Sequence, residues 1–357
     1  MMPARINIKG DFIWYNIWIK HEFDRVYSRQ VKKYWRELFF EDLERANLTV
    51  EDLKQFYIIV NPNWEGHNAD DVEPFRLMLS ELGFPMSQFG VLFTCYENTD
   101  SLPYPAECNT ERLVYISSWH ANLKKQNISW KNLTMDKKLI VLMRRASESR
   151  CTLANKVLDT FDSKDIRITL GTFPDMIPTE WRKMVSPYPY PMYVDDDRAS
   201  NTYQHAPQHN LFYTAPVQLV VESSNQTDRF AWRNIFITEK SYKVFAWHQF
   251  PLWYAVPGTV AKMRDAGFDL FDDIIDHSYD DIDDPVIRMD RVVAEAYQFC
   301  KHEGISLLRN FYWNRLESNA LRVENISKTA FTVQKTKAEK IQNELLELYK
   351  SRTSISA

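Results

Sequence analysis

The chain has 357 residues, of which 45% are hydrophobic and 14% aromatic, enough apolar mass for large packed cores and too much for a disordered segment. That length favours two domains over one, and a formal net charge of -4 excludes a wholesale basic protein while leaving room for a local basic face. Four widely spaced cysteines, Cys95, Cys108, Cys151 and Cys300, form no CxxC pair, which argues against a zinc knuckle or a disulfide framework.

The sequence opens without a signal-peptide pattern, and its first apolar run, residues 12–19, contains Asn16 and is too short for a bilayer. A cytoplasmic protein is expected, with the sequons at Asn47 and Asn225 incidental. A polar helix follows over residues 22–44, where Arg25, Arg29, Lys32 and Arg36 recur at spacings of four, three and four, on one helical face. Tyr27, Tyr34 and Trp35 lie among them, so the stripe could track a phosphate backbone and stack on a base. An amphipathic helix with a solvated basic side, balanced by Glu22, Asp24 and Glu37, accounts for the same residues. Buried strands are expected at 56–60, 90–93 and 113–116, with a helix over 72–82 between the first two.

A Lys-rich polar stretch at 127–137 marks the boundary between a domain of residues 1–130 and one of residues 131–330. The second restarts with a strand at 139–143, a helix over 149–160 and a strand at 166–170. Residues 173–216 are rich in proline and turn formers and read as a long loop. Strands from 217 and over 250–255 then flank a helix starting near 238. Helices over 257–267, closed by Gly267, over 283–302 and over 304–322 complete the domain. In the tail, 331–357, Ile341, Leu345 and Leu348 have helical spacing, and this helix is expected to cross back onto the first domain. The fold class is α/β, with two Rossmann-like domains facing a cleft, where ligands sit outside the carboxyl ends of the strands.

The most informative stretch is Phe236-Ile237-Thr238-Glu239-Lys240-Ser241-Tyr242-Lys243, where an apolar run meets a helix start. A Glu there can accept hydrogen bonds from a ribose diol, while Lys240 and the free backbone N–H groups face a diphosphate. The same residues also make an ordinary helix start, with Thr238 as N-cap, Glu239 as a first-turn acid and the lysines solvated. A second phosphate element follows the strand ending at Met143. Arg144, Arg145 and Arg150 surround a helix start at Ser147 to Ser149, and guanidinium groups suit phosphate oxygens. The alternative is a capped helix with surface arginines.

With Glu222-Ser223-Ser224, Thr238-Glu239-Lys240 and Pro251 in this order, residues 138–284 resemble the donor domain of GT-B glycosyltransferases, closest to fucosyltransferase-like and related phage-encoded enzymes. Pro257-Gly258-Thr259, Gly267-Phe268 and Phe271-Asp272-Asp273 extend the match. The sequence departs from the family at Val221, where an aromatic is usual, and at Ser223, where Asn is usual. The resemblance implies a donor site of Arg144, Arg145, Arg150, Glu222, Glu239, Lys240 and Lys243, with the diphosphate on Lys240 and an arginine and the ribose on Glu239. It implies a hexosyl- or pentosyltransferase that uses a nucleoside-diphosphate sugar as co-substrate and transfers to a hydroxyl acceptor; cationic side chains and a helix dipole would stabilise the leaving diphosphate, so no metal or other cofactor is expected. The resemblance carries no acceptor across; the basic stripe of Arg25, Arg29, Lys32 and Arg36 would suit a hydroxymethylated base in phage DNA, with the host cytoplasm as location, and a glycan acceptor stands on equal footing.

An inverting transfer needs a general base, and Glu65 and His67 after the strand at 56–60 rank first, ahead of Asp70, Glu97 and His120. Trp64 and Trp119 could stack on sugar rings. Two alternatives remain: a metal-dependent transferase using Asp195 and Asp197 of Asp195-Asp196-Asp197, and a nucleotide-sugar-binding protein without catalysis.

Overall fold

The computed structural model describes residues 6–17, 30–62, 69–93, 102–108, 128–143, 147–170, 215–222, 235–301 and 304–353. By their internal contacts the residues divide into two units, Met1–Glu111 with Phe331–Ala357, and Arg112–Ala330. Each is a mixed α/β assembly around its own sheet.

The first unit contains strands β1 (Ile6–Lys9) and β2 (Phe12–Ile17), helices α1 (Gln30–Arg45) and α2 (Val50–Leu53), strand β3 (Tyr57–Pro62), helix α3 (Ala69–Glu81), and strands β4 (Phe89–Phe93) and β5 (Ala106–Cys108). The sheet order is β1-β2-β3-β4-β5, with β1 antiparallel to β2 and the rest parallel. The apolar run read from residue 12 is therefore half of a hairpin turned at Gly10, whose φ is 58°. Neither β1 nor the three-residue β5 carries enough alternation to be read from sequence. The expected strand at 113–116 lies outside the described residues, as do 22–29 of the first expected helix.

Alternation along β3 divides the core. Ile58 and Val60 face Phe39 and Leu43 of α1 and Phe75 and Leu79 of α3, whereas Tyr57 and Ile59 join Leu92, Ile341 and Leu345 on the other face. Ile341 and Leu345 belong to a helix of 41 residues introduced below, so residues far apart in the chain cover the second face. Gly90 in β4 makes that contact close: a Cβ there would stand 2.7 Å from Ile341 Cγ2 and 3.2 Å from Leu345 Cδ1. Tyr57 meets Tyr349 edge to face at 6.1 Å, and Lys340 pairs with Glu107.

The second unit contains β6 (Leu139–Met143), α4 (Glu148–Thr160), β7 (Ile166–Leu170), β8 (Val217–Val221), α5 (Glu239–Ala246), β9 (Phe250–Tyr254), α6 (Thr259–Asp265), α7 (Pro285–Cys300), α8 (Ile305–Phe311) and the first part of α9 (Trp313–Thr353). Its sheet is wholly parallel in the order β7-β6-β8-β9, and every residue of β8 and β9 is buried, as strands covered on both faces require. Trp253 reaches α5 and its neighbour Tyr254 feels Arg288 of α7, so these two helices cover opposite faces. Gly267, with φ 80°, follows α6 as its stop. The expected helix over 304–322 and the tail helix differ from the structure. The chain breaks at Tyr312 and then runs unbroken through 353, because residues 313–353 contain neither Gly nor Pro to stop it.

The start of α9 is latched to the second unit by polar and stacked contacts. Arg315 forks onto Asp269 and Asp273 at 2.5–2.8 Å while lying over Phe271 and Tyr312, Asn319 both donates to and accepts from the Asp269 backbone, and Arg322 donates to the Ala266 carbonyl. His248, with φ 55°, lies between Trp130 and Trp313, and burial drives its pKa down to about 3, so its ring is neutral.

Gly90→Ala is expected to lower stability by about 1–3 kcal/mol through overpacking against Ile341, and Ile341→Ala by about 2–5 kcal/mol, in thermal or denaturant unfolding. Arg315 holds the Asp269 and Asp273 carboxyls below their usual value of 3.8. Their contribution is complete above that value and is lost as pH falls through the lowered folded values. Unfolding followed from pH 6 to pH 2 should show an acid-side slope that Arg315→Met reduces; an unchanged slope would place the acid sensitivity elsewhere.

Candidate functional site

The order β7-β6-β8-β9 contains one switch point. The chain leaves β6 toward β7 and leaves β8 toward β9, in opposite directions, and parallel α/β sheets take ligands at such a point, beyond the carboxyl ends of the strands, here β6 and β8. Two helix starts face this edge. After β6 come residues 144–146 and then α4, capped by Ser147, whose hydroxyl accepts from the Arg150 N–H at 3.4 Å. After β8 come Glu222, residues 223–234 and then α5, capped by Thr238. Residues 144–146 and 223–234 lie outside the described residues, and with them Arg144 and Arg145.

Glu222 is fully buried immediately after β8, and its carboxylate organises the start of α5. Oε1 accepts from the Thr238 N–H at 3.1 Å and from the Ser241 hydroxyl at 2.6 Å, and Oε2 accepts from the Thr238 hydroxyl at 2.6 Å. The Lys240 ammonium stands 3.7 Å from Oε2 and 3.2 Å from the Thr238 hydroxyl. Isolated burial of a carboxylate is costly, and here four donors and the positive end of α5 offset it. Trp253 extends the group by donating its indole N–H to Ser241 Oγ at 2.9 Å.

The sequence-derived donor residues thus occupy different positions. Lys240 and Glu239 lie at the mouth of α5, with side chains 23% and 19% exposed. Lys243 is one turn deeper, 9% exposed, with its ammonium 3.8 Å from the Glu239 carboxylate. Arg150 is buried and directs Nη2 to the Glu222 backbone carbonyl at 3.2 Å, so it joins the α4 start to the end of β8. Sequence reading treats Glu222 as a ligand-facing carboxylate; the structure turns its oxygens inward onto Thr238 and Ser241. Thr238 as cap was legible, but Ser241 and Trp253 were not singled out, because their role depends on a carboxylate 19 residues away from Ser241 in the chain.

On the other unit, Arg36 is exposed on α1 with its guanidinium 5.8 Å over the Phe40 ring, and Lys32 lies one turn earlier on the same helix. Arg25, Arg29, Glu65, His67, Glu97, His120, Trp64, Trp119, Asp195 and Asp197 lie outside the described residues, and Asp70 falls in the first turn of α3. Among the described residues no group of three or more His, Cys, Asp and Glu is placed to hold a metal ion. No described helix is long and apolar enough to cross a membrane. A hollow of about 670 Å³ lies in the second unit beside α6, lined by Arg264, Asp272, Asp276, Asp280, Asp281 and Glu295 among others. Its acidic lining has the wrong sign for a diphosphate, and none of the donor residues borders it.

No family model matches the chain, and no curated protein matches it. A solved structure, the crystal structure of an alpha,alpha-trehalose-phosphate synthase (UDP-forming) from Burkholderia xenovorans in complex with glucose-6-phosphate, is similar over 85% of this chain and 78% of its own. The identity is 11% and the TM-score 0.33, a likeness too distant to carry an argument.

At the end of β9, beside this edge, the Tyr254 hydroxyl is buried without a hydrogen-bond partner among the described residues, and burial raises its pKa to about 12. Removing an unsatisfied buried hydroxyl relieves a desolvation cost. Tyr254→Phe is expected to leave the melting temperature unchanged or to raise stability by about 1 kcal/mol in thermal unfolding; a clear loss would mean that the hydroxyl is bonded.

Proposed function

We propose that the chain is a glycosyltransferase of the GT-B arrangement, resembling the fucosyltransferase-like enzymes, that moves a sugar from a nucleoside-diphosphate sugar to a hydroxyl acceptor. The observation that carries this reading is the placement at one switch point of two capped helix starts, with Lys240 and Glu239 in the first turn of α5. A parallel α/β sheet takes ligands at that place, and helix N-termini with cationic side chains favour a diphosphate.

In the proposed reaction the bond from the anomeric carbon to the diphosphate oxygen breaks and its electron pair stays on the leaving diphosphate. The acceptor oxygen forms the new bond to carbon and gives up its proton to a base. Lys240, the positive end of α5, and Arg144 and Arg145 before α4 meet the growing negative charge, so the transfer proceeds without a divalent cation. Glu239, at the first position of α5, holds the ribose diol. Glu65 or His67, following β3, serves as base if the transfer inverts configuration. The acceptor is a glycan or a hydroxymethylated base in DNA, with Lys32 and Arg36 of α1 beside Arg25 and Arg29 as its phosphate contacts in the second case.

The test is thermal shift and calorimetry with the diphosphates of uridine, guanosine, adenosine, cytidine and thymidine and their sugar conjugates, each with and without EDTA. One base should stabilise the wild type in both conditions, and Lys240→Ala should weaken binding about tenfold or more by removing a charge-assisted contact. Release of nucleoside diphosphate on adding acceptor separates a transferase from a protein that only binds. Absence of stabilisation by every member of the panel ends the donor-site reading.

A further inference from the structure

We infer that Glu222 is the positioning residue of the donor site, acting through Thr238, Ser241 and Lys240 rather than by touching the nucleotide; this deepens the donor-site reading above and rests on it. The argument comes from the direction of the hydrogen bonds. An indole N–H and a lysine ammonium only donate. Trp253 therefore fixes Ser241 Oγ as its acceptor, leaving the Ser241 proton to go to Glu222 Oε1. On the other side the Lys240 N–H and ammonium, at 3.3 and 3.2 Å, fix Thr238 Oγ1 as their acceptor, leaving the Thr238 proton to go to Glu222 Oε2. With the Thr238 backbone N–H also pointing at Oε1, both carboxylate oxygens are required as acceptors.

Two chains of hydrogen bonds thus end on one buried group, one starting in strand β9 and the other at Lys240. A glutamine at 222 would present an NH2 group to at least one of these donors, setting donor against donor. An aspartate would be one methylene too short to reach both. The carboxylate therefore determines where the first turn of α5 lies relative to β8 and β9, and its charge, 3.7 Å away, holds the Lys240 ammonium over the helix start. Arg150 adds a second tie, because its bond to the Glu222 carbonyl fixes the same residue to the start of α4. One residue sets the spacing between the two anion-facing helix ends.

The experiment compares wild type, Glu222→Gln, Ser241→Ala, Thr238→Val and Thr238→Ser by calorimetric titration with the best-binding nucleoside diphosphate of the panel, and with the matching nucleoside without phosphate. The melting temperature of each unliganded variant is recorded alongside. Glu222→Gln, Ser241→Ala and Thr238→Val should each weaken diphosphate binding about tenfold, with nucleoside binding weakened less because only Glu239 of the displaced turn meets the ribose, and Thr238→Ser, which keeps the hydroxyl, should bind as wild type does. Where Glu222→Gln does not fold, Ser241→Ala and Thr238→Val decide the matter. If the wild type binds a diphosphate and these variants bind it equally well, or Thr238→Ser loses it as Thr238→Val does, the donor-site reading stands and the role given to Glu222 falls. If the wild type binds none of the diphosphates, both fall together.

Discussion

A buried carboxylate at the end of a parallel strand constrains everything around it. Glu222 follows the fully buried β8, and its backbone N–H continues the sheet by bonding to the Tyr254 carbonyl at 3.2 Å. Its side chain then leaves the sheet and collects the first turn of α5. Strand, helix start and next strand are joined through one group, so the Thr-Glu-Lys element is set in place without a glycine-rich loop to shape it. The arrangement also explains why charge of both signs coexists at this edge. The inward carboxylate is compensated by the helix start and the lysine.

The sequence made the two sheets and most helices legible, for identifiable reasons. Strands β3, β6, β8 and β9 are short unbroken apolar runs, and α5 and α7 start at a threonine and an aspartate that cap them. The hairpin of β1 and β2 was hidden because β1 has one buried residue in four, and β5 because three residues show no period. The site was half legible. Thr238, Glu239 and Lys240 are adjacent and declare a helix start, but nothing in a linear reading says which way Glu222 or Arg150 turns. Their partners lie 16 and 72 residues away, and in both cases a group expected to face a ligand is engaged with the protein.

The second unit also invests in its connection to α9. Arg315, Asn319 and Arg322 recur at four and three residues, so one face of the helix carries all three contacts to residues 266–273. The His248 ring, stacked on Trp313 at 4.7 Å, adds a contact at the first turn. Polar forks on one stretch and aliphatic knobs on the next let a single helix serve two different surfaces without repeating the same chemistry.

That helix has a temporal meaning as well. The Tyr57, Ile59 and Leu92 face of the first sheet is covered by Ile341 and Leu345, roughly 280 residues later in the chain, on a helix whose earlier turns belong to the other unit. During synthesis the sheet would be assembled long before its cover exists, leaving an apolar face uncovered while the whole second unit is made. The N-terminal unit is then first to begin folding and last to finish, and the later of its two crossings, Ala330 to Phe331, falls inside a continuous helix.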